Sequence, residues 1–446
     1  AVGSQGTESQ GFQLLPEAEN VTIKNGSIEV AEETNVVWMF NDYTENLKVE
    51  NVTIDCENMV WSKSVYLIVA NNQHSTNPCP VFNNVTISNY NEECPHALIE
   101  NNTQLTAQEG LNVVTDPGYS VKYVDGTYKV VANMVKVLDG DTEVGTYATL
   151  AEAITAATAG NTIQFLADLT EDVTINKDLT IDGNDKNYTG NISVKGSAVD
   201  VIVKNVNFIN GTGYAITTNT IKSITVENCT INDYGYGFLY ANKSTPTVVV
   251  KNVEVNNANY GMHWVYGSNA TLEDVTMTNV VYGLCIQNYA AKNILIKNSN
   301  ITNTYIWERD GYSAVQTFKF EGTNTVDALS SSQCAKHVLT DEDATIKAPE
   351  GSNNVVSGDA NYVVAYEGGV YKLIPGSIWN KTQDKKYGTL QAAIDAAVTG
   401  DEIVLLSDIE LSDKDIAMSA PLKTMVYVEG KDITLDMNGK AISVKY

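Results

Sequence analysis

The residues best suited to chemistry lie between Tyr260 and Asp310. Tyr260, His263, Trp264 and Tyr266 fall together, Tyr282, Gln287 and Tyr289 follow, and Trp307, Glu308, Arg309 and Asp310 close the stretch. Aromatic faces beside carboxylates and an amide are the components of a surface that holds a sugar chain. Hydrolysis of that chain would need two carboxyl groups about 5 to 9.5 Å apart. The competing reading is structural: Trp264 and Trp307 cover the flank of the fold, and Arg309 pairs with its acidic neighbours. The residue types lean away from catalysis, and no catalytic group is assigned.

Other reactive groups are sparse. The acidic runs beginning at Asp139 (DGDTE) and Asp182 (DGND) resemble Ca²⁺ loops only loosely, because they lack spaced ligands and a closing glutamate. They read as solvated turns, so no metal and no cofactor is expected. Six cysteines are too scattered for a disulfide framework or a paired-cysteine metal site. Cys229 and Cys285 read as core residues. Cys79 and Cys94 flank a loop, with His74 and His96 just outside it, and could form a disulfide.

Charge narrows the partners. Lys and Arg number 28 against 54 Asp and Glu, a net charge of -26, so nothing basic could neutralise a nucleic acid. With Arg309 the sole arginine, bidentate recognition of phosphate or carboxylate is nearly excluded. No apolar run approaches membrane-spanning length and no signal peptide is evident, so membrane insertion is not expected. The opening Ala-Val-Gly reads as a processed or subcloned form.

What must position the candidate surface is a repeat. VIVKNVNFIN from Val201, ITVENCTIND from Ile224, VVVKNVEVNN from Val248, TLEDVTMTN from Thr271 and ILIKNSNITN from Ile294 are one pattern. They pivot on Asn205, Asn228, Asn252, Asp274 and Asn298, at steps of 23, 24, 22 and 24. Apolar residues alternate with polar ones on both sides of each pivot, which makes short half-buried strands. The asparagine supplies a left-handed corner between them. A coil of this length stacks on its copies at roughly 4.8 Å, and the pivots should then form an amide ladder buried between coils. Tyr214, Tyr236, Tyr260 and Tyr282 keep the same period and should stack as well. Leucine-rich repeats share the period but want leucines and a helix in each copy.

The same signature surrounds Asn20, Asn51 and Asn84, at steps of 31 and 33, before a break from about Gln104 to Val131 that ends in a hairpin turning at Asp125-Gly126. A second unit, beginning at Tyr147 and again at Tyr387, starts with an amphipathic helix. Thr149 or Thr389 caps it, and Gly160 or Gly400 lies just past its end. Glu152 completes the capping box in the first copy, whereas Ala392 weakens the second. The hairpin also recurs, at Gly368.

Together these features resemble a right-handed parallel β-helix of the pectin-lyase-like superfamily, and the paired modules resemble those of cell-surface proteins of anaerobic bacteria and archaea. The resemblance implies an all-β fold of parallel β-helix solenoid modules with short amphipathic capping helices and terminal β-hairpins. Each helix would plug a first coil. Polyuronate-cleaving relatives would carry an Asp/Glu cluster for Ca²⁺ with a basic residue, or paired carboxylates, and the chain offers few candidates for either. Three pieces are expected: 1–135 without a plug, 136–375 as a complete module, and 376–446 as the start of a further one.

The function expected is that of an extracellular or cell-surface structural or adhesive protein, with a virion fibre as a variant. Its partners would be further copies joined head to tail into a filament, or surface glycans. The alternative is a carbohydrate-binding or polysaccharide-degrading protein using His263, Trp264, Tyr266, Tyr289, Trp307, Glu308, Arg309 and Asp310.

Overall fold

The computed structural model describes residues 9–14, 20–31, 34–40, 46–58, 68–71, 81–90, 108–124, 127–242, 247–264, 269–287, 293–301, 304–307, 317–326, 339–341, 355–357, 360–367, 370–412 and 424–445. The chain forms a parallel β-solenoid of about eight turns with two short helices. It divides into two compact units, Ala1–Val137 with Glu143–Ala153, and Leu138–Thr142 with Ile154–Tyr446.

In the second unit the alternation sets one continuous register. Ile181 pairs with Val203, and the column continues through Val226, Val250, Leu272 and Ile296 to Phe320, all of them buried. Each fully buried side chain of this size stabilises by roughly 1.5 to 3 kcal/mol relative to exposure, so the column is a continuous apolar support of the coil stack. Beyond the corner a second inward column runs Phe208, Ile231, Val255, Met277. At the start of the stack the interior is aromatic, with Phe165, Tyr188, Phe208 and Tyr234 at centroid spacings of 5.9, 5.7 and 6.1 Å. The buried Tyr188 hydroxyl donates to Glu171 O at 2.6 Å and that of Tyr234 to Gly190 O at 2.9 Å, as burial of a phenol requires. Cys229 fills an inward slot, and burial pushes its thiol up to about 12.

Four successive coils turn at two left-handed corners five residues apart, where the sequence pattern predicts one. Asn205, Asn228, Asn252, Asp274 and Asn298 have φ between 49° and 54°, and Asn210, Asp233, Asn257 and Asn279 repeat the conformation at 53° to 58°. Amide ladders run along both. Asn205 Nδ2 donates to Asp182 Oδ1 (2.9 Å) and Asn252 Nδ2 to Asn228 Oδ1 (2.8 Å). On the second corner Asn257 donates to Asp233 (3.0 Å) and Asn279 to Asn257 (2.7 Å). The expectation of a buried ladder is corrected: Asn228 and Asn252 are exposed, and their side chains bond along the outside of the corner.

The first unit stacks Asn20–Ala31, Asn46–Asn58, Val81–Ser88 and Gln108–Thr115 in one parallel sheet. The pivot assigned to Asn20 moves to Asn25. Asn20 pairs with Asn46, while Asn25 has φ 62° and accepts from Asn51 Nδ2 at 3.1 Å, with Asn84 bonded to Asn51 at 2.7 Å. Gln108–Thr115 is a coil strand too, with Val113 opposite Val85, so the break expected there is shorter. The hairpins Tyr119–Val124 with Thr127–Ala132, and Tyr362–Glu367 with Val370–Pro375, are antiparallel as expected.

The helices are Leu150–Ala156 and Leu390–Ala396. Thr149 Oγ1 accepts from Glu152 N, and Thr389 Oγ1 from Ala392 N, so the cap survives the loss of the glutamate. Seven residues are too few for a helix to stand alone. The second gains its stability by burying Leu390, Ala393, Ile394 and Ala397 against Ile378, Ile403 and Leu405. A lysine closes each C-terminus: Lys177 Nζ donates to Ala157 O (2.8 Å), and Lys431 Nζ to Ile394 O, Asp395 O and Ala397 O at 2.8 to 3.0 Å. This satisfies orphan carbonyls at the negative end of the helix dipole.

The corner geometry gives a stability prediction. Asn252→Gly removes the amide bond but tolerates positive φ, whereas Asn252→Leu also pays the left-handed penalty of about 1 to 2 kcal/mol. Denaturant unfolding should show the leucine variant less stable than the glycine variant by about that amount. Equal stabilities would mean that the corner conformation places no demand on the side chain.

Candidate functional site

The outward side chains of the coils form columns of their own. Just before the first corner the register runs Asp182, Lys204, Glu227, Lys251, Glu273, Lys297, Glu321. Acid and lysine alternate at every step. Glu273 sits between Lys251 (3.6 Å) and Lys297 (2.6 Å), and Lys204 lies 3.7 Å from Asp182. The hydrogen bond from Lys297, helped by Lys251, holds the Glu273 carboxyl below its usual value, and Glu273 raises the Lys297 ammonium. Opposite charges facing across adjacent strands favour this register, and a shift that set like charges opposite would be penalised.

A second outward cluster is aromatic. His263 stacks on Tyr260 at 4.6 Å with 12° between the rings, contacts Tyr240 at 5.0 Å, and shares a 2.7 Å hydrogen bond between Nδ1 and the Tyr214 hydroxyl. Tyr214 stacks on Tyr240 (5.1 Å) and Tyr236 (5.8 Å), and Tyr260 on Tyr282 (5.2 Å). The tyrosine register is off by one at a single coil. Gly237, not Tyr236, lies opposite both Tyr214 and Tyr260, and a Cβ there would sit 2.0 Å from Tyr260 O. Tyr240 belongs to the cluster and was missed. Its signal was the step of 23 to His263, the coil period again.

Of the residues singled out in the sequence, His263 is placed with its side chain, half-buried among these rings. Trp264 lies in the strand Thr247–Trp264, opposite Ala241 and Ile286, and Trp307 in Thr304–Trp307, opposite Gln287. Their side chains lie outside the described structure, as do Tyr266, Tyr289, Glu308, Arg309 and Asp310. Cys79, Cys94, His74 and His96 also lie outside the described residues, and Cys285 is placed only by its backbone.

The cluster is built from ring on ring contacts. Tyrosines stacked along the coil axis turn their faces toward one another, and the Tyr214 hydroxyl is spent on His263. A pyranose packs on a free ring face, and Tyr236, 58 % exposed, offers the most open ring of the group. The nearby groove of Asp233, Tyr234, Gly235, Asn257, Ala258, Asn259, Asn279 and Val281 is shallow, and its amides are engaged coil to coil.

Two further carboxylates, Asp182 and Asp168, are similarly occupied. Asp182 Oδ1 accepts from Asn184 N (3.0 Å) as well as from Asn205, so the DGND run is a turn. Asp168 accepts the Asn187 N–H and side-chain amide, both at 2.8 Å, which hold its carboxyl below the usual range. Among the described residues no three His, Cys, Asp or Glu side chains gather in a metal-binding group.

Two measurements test these columns. For the charge ladder, Glu273 with its lowered pKa stabilises above the ordinary glutamate value of about 4.3, and loses that as pH falls through its folded value. Lys297, raised, stabilises below the ordinary lysine value of about 10.4, and loses that as pH rises through its folded value. The difference in melting temperature between the wild type and Glu273→Gln should therefore be largest near neutrality and shrink toward both extremes. A pH-independent difference would remove the ion pairs as its cause. For the aromatic cluster, Tyr214→Phe keeps the ring and loses the hydroxyl, and should lower unfolding stability by about 0.5 to 1.5 kcal/mol. His263→Ala should cost more because its ring contacts go too. No family model, curated protein or solved structure matches this chain.

Proposed function

We propose that this chain is a structural or adhesive β-helix of an extracellular or cell-surface setting, a stiff element rather than an enzyme. One observation carries the reading: the polar side chains of the coils are spent on each other. The Asp182 to Glu321 charge column, both amide ladders and the tyrosine stack all join one coil to the next instead of converging on a ligand. Nearest-neighbour stacking of this kind gives a solenoid uniform resistance along its length. The resemblance of the repeats to pectin-lyase-like β-helices and to cell-surface modules supports the setting. A virion fibre would use the same physics.

The aromatic patch favours a second reading, glycan binding, because Tyr236 keeps an open ring and Trp264 and Trp307 lie on the two strands that flank Asn269–Gln287. In this reading the protein adheres through sugars without cleaving them.

Incubation of the purified protein with polyuronates or other polysaccharides should release no reducing ends. Release of reducing ends would overturn the structural reading in favour of a hydrolase or lyase. On a glycan array, binding that disappears in a Trp264→Ala, Trp307→Ala variant would establish the adhesive form.

A further inference from the structure

Among the described residues, Thr434–Asp436 and Asn20–Ala31 are two of the coil strands that are paired on one edge only. Thr434–Asp436 bonds to Glu402–Leu405, and Asn20–Ala31 to Asn46–Asn58. Their inward residues are correspondingly wet. Leu435 is 38 % exposed and Ile23 and Ile28 are half-buried, whereas Ile181, Val203 and Phe208 within the stack are fully buried.

The interior of the molecule shows what covers such an edge. Val404 opposite Asp436 repeats Gln164 opposite Asp182, and Ile409 opposite Ile442 repeats Leu169 opposite Tyr188. Asn438 and Asn184 make the same turn, each donating its N–H to the aspartate two residues back and its side chain to Leu405 O or Phe165 O. Thr434-Leu435-Asp436 therefore stands where Thr180-Ile181-Asp182 stands. That earlier strand is covered by Ile202, Val203 and Lys204, with Lys204 on Asp182 and Asn205 Nδ2 bonded to Asp182, and Tyr188 is covered by Phe208.

Asn20–Ala31 has the same features in the same order. Thr22-Ile23-Lys24-Asn25 matches Ile202-Val203-Lys204-Asn205, Asn25 is left-handed like Asn205, and Ile28 falls three residues beyond the corner as Phe208 does. The charge sequence fits as well. Every lysine in the long column faces an acid on each paired side, and Lys24 faces Glu50 on its paired side. Asp436 supplies an acid for the other.

We propose that the Thr434–Asp436 edge of one copy of this chain is covered by the Asn20–Ala31 edge of a second copy. Lys24 and the Asn25 amide meet Asp436, Ile23 covers Leu435, and Ile28 covers Ile442. The inference deepens the structural reading above, from which it takes its purpose but not its geometry. Because the two edges are unlike, each copy can both give and receive a strand, and the assembly grows instead of closing as a dimer.

Sedimentation velocity of the 446-residue chain over about a hundredfold range of concentration should show species that grow with concentration. Asp436→Lys and Lys24→Asp should each move that growth to concentrations at least about tenfold higher, which is about 1.4 kcal/mol lost at the contact. The combined Asp436→Lys, Lys24→Asp variant restores opposite charges and should recover growth. Both side chains are exposed, so far-UV circular dichroism of the variants should match the wild type. A synthetic peptide of residues 20–31 gives a readout that needs no folded variant: it should bind the open edge and stop growth. A wild type that stays monomeric, one that closes as a dimer, a combined variant no better than the single ones, or growth unaffected by the peptide would each overturn the proposal. A monomeric result leaves the structural reading standing, since the polysaccharide assay decides that separately.

Discussion

The left-handed corner is the constraint on which the solenoid depends. A strand cannot return over itself in some 23 residues unless the backbone reverses sharply, and positive φ supplies that reversal at a steric cost to residues with a Cβ. Asparagine and aspartate carry the corners because their short polar side chains relieve part of that cost by hydrogen bonding. Here the bond goes to the neighbouring coil, from Asn252 to Asn228 and from Asn279 to Asn257, so one residue type satisfies the turn and ties the stack together. The inward columns can be continuous because the corners fall at the same place in every coil.

From that constraint the outer surface follows. Residues next to a fixed corner lie directly above one another, so any residue type that recurs there forms a column. Alternating Lys and acid give a column of ion pairs, recurring tyrosine gives stacked rings, and recurring asparagine gives amide chains. Each exposed ion pair contributes little singly. Their collective effect is on register, since a displacement that set equal charges opposite would meet repulsion at many coils. The same economy limits chemistry, because groups bonded along the axis are not free to converge on a substrate.

The plug helices solve the problem posed by the end of a stack. Leu390–Ala396 is short and would not be helical alone, yet it covers Ile403 and Leu405 with one apolar face, and Lys431 closes its last carbonyls. On strand edges that no described residue covers, apolar side chains such as Leu435 and Val444 are partly in water. Exposed strand edges are prone to pairing, and those of Thr434–Asp436 and Asn20–Ala31 are matched in apolar order and in charge.

The sequence by itself determined the solenoid, its period, the capping helices and the hairpins, because each rests on local spacing: alternation for the strands, Thr149 and Thr389 for the caps, and recurrent asparagine for the corner. It also contained the alternating charges at Lys204, Glu227, Lys251, Glu273 and Lys297, legible once the pivots are aligned. Tertiary structure alone decided register and exposure. A shift of five residues moved the first pivot from Asn20 to Asn25, one residue replaced Tyr236 by Gly237 in the tyrosine column, and the amide ladder proved to lie on the outside of the corner. Similar AsnVal-Thr signatures look alike at any offset, and only the hydrogen bonds between coils fix which asparagine lies over which. The aromatic cluster followed the same rule: Tyr240 and His263 are 23 residues apart in the chain and in contact only because the coil brings them into one column.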